Sequence, residues 1–248
     1  MTIIGFIIIL SVVVLYFAMM FVFHRFTYKT WVFDIGVIIG MVIGFVNWLQ
    51  ASDSQFPWGT VTLGIVWFLV SRIELKLIGS KELSLHMGDK LPPMAFIKTD
   101  GTEFTEQDLI ANAPALLALY RGWWCPSSEL QLGEIMENYD YLNKKGLSLY
   151  AASVDEPEMA IPIQEYVGNK ITILCNVSEE VLKEVGVLDT KGAPWYDRLI
   201  FGAPKQPISM PAILVINKEG NIIFISRSTR VDDRPWTNEI LTSLPLFR

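Results

Sequence analysis

The residues with the clearest capacity for chemistry form one run, Tyr120-Arg121-Gly122-Trp123-Trp124-Cys125-Pro126-Ser127-Ser128. The short apolar stretch before it, Ala115 to Tyr120, reads as a buried strand. The stretch after it, Glu129 to Lys145, carries apolar residues on one helical face and is ended by Gly146. Cys125 therefore falls near a helix N-cap, with Pro126 at the first helical position, where a missing N–H costs nothing. Unpaired backbone amides and the positive end of the helix stabilise a thiolate in such a place. Arg121 adds a cation if its side chain folds back. The chemistry this pattern offers is nucleophilic attack by a thiolate; the plainer reading is a small buried hydrophobe, a common use of cysteine. Trp123 and Trp124 are expected as partly exposed walls of the site or as lipid-facing aromatics.

The elements that must position these residues alternate in type. Met94 to Lys98 is extended and Asp100-Gly101 is a turn. Leu147 to Val154 and Ile171 to Cys175 read as strands, separated by a helix over Glu156 to Val167 that Pro162 breaks or kinks. Ser178 caps a helix running to about Val185. Pro211 to Asn217 and Asn221 to Arg227 form a hairpin around Lys218-Glu219-Gly220, and Trp236 to Leu244 is a last helix. Strand–helix alternation followed by a hairpin predicts an α/β domain with a central mixed sheet flanked by helices. Cys175 ends a strand parallel to the one before Cys125. One strand between them separates the pair by about 9–10 Å, beyond the roughly 7 Å Cα reach of a disulfide. Cys175 is thus either a buried structural cysteine or a resolving thiol that needs local unfolding. His24 and His86 are too few and too distant for a metal cluster, and Arg230, Asp232, Asp233 and Arg234 read as a self-paired turn, with a role for Arg230 beside the thiolate as the alternative.

Composition divides the chain. Only Arg25, Lys29, Asp34 and Asp53 are charged within residues 1–70, so the whole net charge of −6 falls on the rest. The 19% charged share lies below the quarter or so usual in a soluble domain. The acidic balance excludes nucleic acid as a partner, because phosphate binding needs a basic face. Three apolar runs, about 2–23, 31–49 and 56–73, predict three transmembrane helices, the third of marginal length. The first lacks the basic flank and the small-residue site of a cleaved signal, which leaves a retained anchor. Residues 1–78 then form a membrane anchor and residues 79–248 a globular domain. The positive-inside rule, applied to Arg25, Lys29, Arg72, Lys76 and Lys81, puts that domain in the cytoplasm, provided the third run spans. Gly36, Gly40 and Gly44 form a stripe that lets another helix approach closely, either within the chain or across a homodimer.

Trp124-Cys125-Pro126-Ser127-Ser128 resembles the W-C-x-x-C site of the thioredoxin-like superfamily, and Tyr120-Arg121-Gly122 before it resembles its redoxin branch, the alkyl hydroperoxide reductase/thiol-specific antioxidant (peroxiredoxin-like) family. Gly88 to Phe96 with Asp100-Gly101, Ser148 to Asp155, Val185-Gly186-Val187, and Met210-Pro211-Ala212 with the following strand agree in order, so the resemblance spans about 85–245. It implies a thioredoxin-like fold, a reactive Cys125, a cis Pro211 packed beside it, and a substrate groove bordered by Trp124, Pro126, Met210 and Pro211. Two positions depart from the family pattern. Ser128 replaces the second cysteine, so the site cannot close the internal disulfide that a thioredoxin-type reductase uses; its hydroxyl either donates to the Cys125 thiolate or caps the helix. Gly122 stands where peroxiredoxins carry Thr or Ser three residues before the reactive cysteine.

The function implied is a membrane-anchored oxidoreductase. Cys125, assisted by Arg121 and Ser128, reduces a peroxide or disulfide and is regenerated by an external thiol, with no cofactor. The partners are the lipid bilayer, the oxidant and the thiol reductant. The alternatives are a non-catalytic thioredoxin-like binding module at the membrane, motivated by the two lost motif positions, and a helper in the maturation of membrane or haem proteins.

Overall fold

A computed structural model of the chain describes residues 3–21, 31–50, 57–69, 71, 83–193 and 195–227. The chain divides into two compact units.

The N-terminal unit contains α1 (Ile3–Phe21), α2 (Trp31–Gln50) and α3 (Trp58–Leu69). The glycine stripe of α2 is filled from within. A Cβ on Gly40 would lie 2.6 Å from Ile9 of α1, one on Gly36 2.8 Å from Val12, and one on Gly44 2.9 Å from Thr60 of α3. This packing takes the face that a homodimer through Gly36, Gly40 and Gly44 would need, so the dimer expectation is corrected. Asp34, buried in α2, accepts a hydrogen bond of 3.0 Å from Trp67 Nε1. Tyr16, Phe33 and Trp67 pack around it, with Tyr16 edge-on to both partners.

Three helices form where three spans are expected, but only Trp31–Gln50 is long and apolar enough to cross a membrane among the described residues. The described part of α3 is 12 residues, about 18 Å at 1.5 Å per residue. Pro57, whose carbonyl accepts from Val61, stands at the start of that helix. Three transmembrane helices are therefore replaced by one candidate, and the cytoplasmic placement loses the third crossing on which it depends. The loops carrying His24 and the basic residues of the charge-bias argument lie outside the described residues.

The second unit is built on a seven-stranded sheet of order β2-β1-β5-β4-β3-β8-β9. Its strands are β1 (Ala95–Lys98), β2 (Glu103–Thr105), β3 (Ala115–Leu119), β4 (Ser148–Ala152), β5 (Thr172–Cys175), β8 (Ala212–Ile216) and β9 (Ile222–Arg227). Between them lie α4 (Glu106–Ala111), α5 (Pro126–Glu137), α6 (Tyr139–Lys144), α7 (Pro157–Val167), α8 (Glu179–Val185) and α9 (Trp195–Phe201). A separate pair, β6 (Leu188–Asp189) and β7 (Ile208–Ser209), brackets α9. The strands β3, β4 and β5 are parallel, and β1 and β8 flank them antiparallel. Every residue of β3 and β8 is buried, which is why both read as unbroken apolar runs. Leu116, Ala118 and Tyr120 on one face of β3 share a core with Leu132 and Ile135 of α5 and Ala160, Ile163 and Val167 of α7.

The mixed sheet agrees with the sequence expectation, and one helix differs. The stretch read as one helix over Glu129 to Lys145 starts at Pro126 and splits at Asn138. The Asn138 side chain donates to the Glu134 carbonyl at 2.9 Å, a local bond that competes with the helical ladder. The expected helix over Trp236 to Leu244 lies outside the described residues.

Candidate active site

The parallel ladder carries the chain one residue past β3, where Tyr120 N–H donates to Ala152 O at 3.0 Å. The backbone then turns through Gly122 at φ +151°, a region that side chains rarely adopt. Cys125 N–H closes the turn onto Gly122 O at 3.2 Å. Cys125 is the N-cap of α5 and Pro126 stands at its first turn. The Cys125 carbonyl accepts from the Ser128 and Glu129 amides, so the thiol sits at the positive end of a three-turn helix.

Two side chains fasten this loop. Ser128 Oγ accepts from the Arg121 backbone N–H at 3.1 Å. Asp155, just beyond β4, accepts from Trp123 N–H at 2.8 Å and from Ser153 Oγ at 2.8 Å. Burial pushes the Asp155 carboxyl up, and the hydrogen bonds from Ser153 and Trp123 pull it back.

The Arg121 side chain folds back into the interior and is 2% exposed. Its Nη1 lies 3.9 Å from Cys125 Sγ and 3.7 Å from Asp197 Oδ2. The guanidinium stands over the Trp124 ring at 5.1 Å. Asp197 comes from α9; burial raises its carboxyl to about 6, with Arg121 pulling the other way. The segment holding α9 also supplies Ala193 and Ala203, which with Ile208 of β7 pack against Trp124 and Cys125. The site is thus covered, and Cys125 is only 4% exposed.

Of the residues singled out in the sequence, Cys125, Arg121, Ser128 and Trp124 converge. Three details differ from expectation. Trp124 is buried rather than a partly exposed wall. Ser128 spends its acceptor on the loop backbone. Met210 and Pro211 are buried and border no open groove: Met210 N–H donates to Val187 O at 2.7 Å, and its carbonyl accepts from Ser209 Oγ at 2.9 Å. The cis peptide among the described residues is Ala113–Pro114, so Met210–Pro211 is trans. The register of Leu119 with Ala212 does put Pro211 at the same sheet end as the cysteine loop. Pro126 remains half-buried at the helix start.

Cys175 stands apart. It faces Ile97 of β1, with β4 between its strand and β3, and is fully buried. Burial, with Asp155 and Glu158 nearby, pushes its thiol up to about 12. His86 is exposed and bonded through its backbone to Asp89. Arg230, Asp232, Asp233 and Arg234 lie outside the described residues. Among the described residues no group of His, Cys, Asp and Glu could hold a metal ion.

Two functional side chains escaped the sequence reading. Asp155 had a usable signal: it follows a strand parallel to β3 and so must arrive at the same sheet end. Asp197 had none, since nothing in residues 190–207 shows a period or motif.

The fold recurs in solved structures. Peroxidoxin BcpB from Mycobacterium tuberculosis superposes with a TM-score of 0.54 at 15% identity, over 66% of this chain and 99% of that one. Thiol peroxidase from Chromobacterium violaceum gives 0.53 at 19%, over 69% and 91%. A peroxiredoxin-like protein from Aquifex aeolicus gives 0.52 at 17%, over 69% and 91%. No curated protein matches the chain. Residues 87–225, more than half of the chain, match the AhpC/TSA family. This match runs from before β1 into β9 and takes in the whole cysteine loop, and the chain belongs to the AhpC/TSA family.

Proposed function

We propose that the protein is a membrane-anchored thiol peroxidase in which Cys125 is the nucleophile and an external thiol is the reductant. The observation that carries this reading is the buried Arg121 guanidinium 3.9 Å from Cys125 Sγ at the start of α5. A cation and a helix N-terminus converge on one sulfur, the setting that makes a cysteine nucleophilic. The similarity to proteins named as peroxidoxin and thiol peroxidase supports the same chemistry.

Cys125 thiolate attacks one peroxide oxygen. The S–O bond forms, the O–O bond breaks, sulfur is oxidised to a sulfenic acid, and the leaving oxygen takes a proton from water. A first external thiol displaces water from the sulfenic acid to give a mixed disulfide. A second releases Cys125 and departs as the oxidised disulfide. Ser128 carries no thiol and Cys175 is buried with β4 between its strand and β3, which supports external regeneration. The cover over Cys125 favours a small hydroperoxide over a protein disulfide. Burial of Trp124, Met210 and Pro211 removes the exposed groove that a purely binding module would use.

Anchoring through residues 1–78, with 79–248 as the redoxin domain, is part of the proposal. It is supported by the length and apolarity of α2. The test uses the full chain in detergent with Cys175→Ala, exposed to hydrogen peroxide and then dimedone. A single adduct at Cys125 is the expected product, and a protein that stays unlabelled across a peroxide titration refutes the reading. Resistance to alkaline carbonate extraction from membranes checks the anchor.

A further inference from the structure

The inner side of α9 is accounted for. Asp197 is buried and reaches Arg121, and Ala203, just past the helix, packs with Trp124 and Cys125. The outer side is not. Two residues after Asp197, about 200° around the helix, Leu199 points the opposite way. Leu199 is 76% exposed and Ile200 beside it 67%. Among the described residues of this unit, no other leucine, isoleucine or valine is exposed over half its surface. The outward face of a surface helix is ordinarily polar, so an adjacent aliphatic pair there calls for a partner.

Charge marks the same face. The protein carries a net charge of −6, yet residues 190–207 hold Lys191, Arg198 and Lys205 against Asp197 alone. The three cations are exposed and the one acid is buried. Asp189, the acid just before this segment, accepts from the Lys191 backbone N–H at 3.0 Å. Arg198 and Lys205 thus bracket the aliphatic pair in the chain, on a face whose sign is opposite to that of the protein. A second copy of the chain fits this face poorly. Isologous pairing sets a patch against itself, so Arg198 and Lys205 of one copy would approach those of the other. Aliphatic side chains rimmed by cations are instead the composition of an interfacial helix, which sinks its apolar face to the headgroup boundary while Arg and Lys meet anionic lipid. Two aliphatics and two cations bind weakly from solution. A tether makes the same contact intramolecular, at high effective concentration.

We propose that the outer face of α9, with Leu199 and Ile200 between Arg198 and Lys205, docks on an anionic lipid surface. The assignment rests on the anchoring proposed above and not on the peroxide chemistry. It gives one short helix two contacts: Asp197 inward to Arg121, and Leu199 with Ile200 outward to lipid.

The test uses the full chain with Cys125→Ser and Cys175→Ala, reconstituted in nanodiscs of phosphatidylglycerol mixed with phosphatidylcholine. A bimane fluorophore is attached through Leu199→Cys, Ile39→Cys or Lys218→Cys, one at a time, and the lipid carries a doxyl quencher high on its acyl chain. Ile39 is exposed on α2 and reports the anchor; Lys218 is exposed in the turn between β8 and β9, at the sheet end away from the cysteine loop. The probe at Leu199 should be quenched well beyond the one at Lys218. Arg198→Glu with Lys205→Glu, both exposed positions, should lower the docked-to-undocked ratio by about tenfold or more, in the range of two basic residues at an anionic surface. Discs of phosphatidylcholine alone should do the same. Quenching at Ile39 with Leu199 no more quenched than Lys218 overturns the docking and leaves the anchor standing. Quenching at Leu199 that ignores both lipid charge and the double reversal overturns the assignment to anionic lipid, and so does a disulfide forming between the Leu199→Cys positions of two copies. No quenching at Ile39 overturns the anchor and the docking with it.

Discussion

Arg121→Gln removes the only charge placed on Cys125 by a side chain of its own loop. Two unit charges 3.9 Å apart interact by about 4 kcal/mol at an effective dielectric near 20. Asp197 Oδ2, 3.7 Å from the same Nη1, takes a comparable part of that field. Allowing it half leaves about 2 kcal/mol of attraction to negative charge on the sulfur, or about thirtyfold in the rate of an attack by that sulfur at 1.36 kcal/mol per tenfold. Iodoacetamide labelling of Cys125 at pH 7, in the full chain with Cys175→Ala, should slow by that order. A bare Arg121→Gln change also strands Asp197 in the interior, and breaking a buried pair from one side costs about 3–5 kcal/mol. The double variant Arg121→Gln with Asp197→Asn removes both charges and should fold better than the single one while labelling as slowly. Asp197→Asn alone should label several-fold faster than the parent, because the thiolate then has the guanidinium to itself. A folded double variant that labels at the parent rate refutes the argument: the sulfur would owe its reactivity to the helix end and not to Arg121.

Two further outcomes follow from buried groups. Asp197 holds its proton up to about 6 in the folded state, against about 4 when unfolded. The folded state therefore binds more protons between those values, and stability falls as pH rises from about 4 to about 6, then levels. Urea denaturation across pH 4–7 should show this slope and Asp197→Asn should flatten it; an equal slope in the variant removes Asp197 as its cause. Cys175, fully buried with a thiol pushed up to about 12, supplies almost no thiolate at neutral pH. Cys175→Ala should leave turnover with hydrogen peroxide and an external thiol within about twofold, and a loss on the order of tenfold or more would identify it as the resolving cysteine.

What could be read from the sequence was whatever a local pattern dictates. Five consecutive apolar residues at 115–119 make a strand buried on both faces. The Cys-Pro pair after it makes a helix start, and Ser178 makes a cap that accepts from Val181 N–H. What could not be read depended on chain arriving from elsewhere. Trp124 looks like an exposed wall until residues 190–207 cover it. Ser128 looks like a partner for the thiolate until the loop folds back and brings the Arg121 amide to its oxygen.

The parallel order of β3, β4 and β5 makes the site a consequence of topology. Parallel strands deliver the residues that follow them to one edge, so Arg121 to Cys125, Ser153 to Asp155 and Asn176 must meet there. That edge then holds Asp155, which accepts from backbone and hydroxyl donors, and Cys125, whose sulfur faces Arg121. The cover adds Asp197, a second anion for the same cation. Oxidation of Cys125 to a neutral sulfenic acid would hand Arg121 wholly to Asp197 and tighten the hold of α9 on the site. Return of the thiolate would loosen it again. In the proposed cycle, an external thiol arriving at the oxidised sulfur would work against the Arg121–Asp197 contact, so Asp197→Asn is expected to speed reduction by a bulky thiol more than by a small one, and equal effects on the two would refute a gating role for the cover.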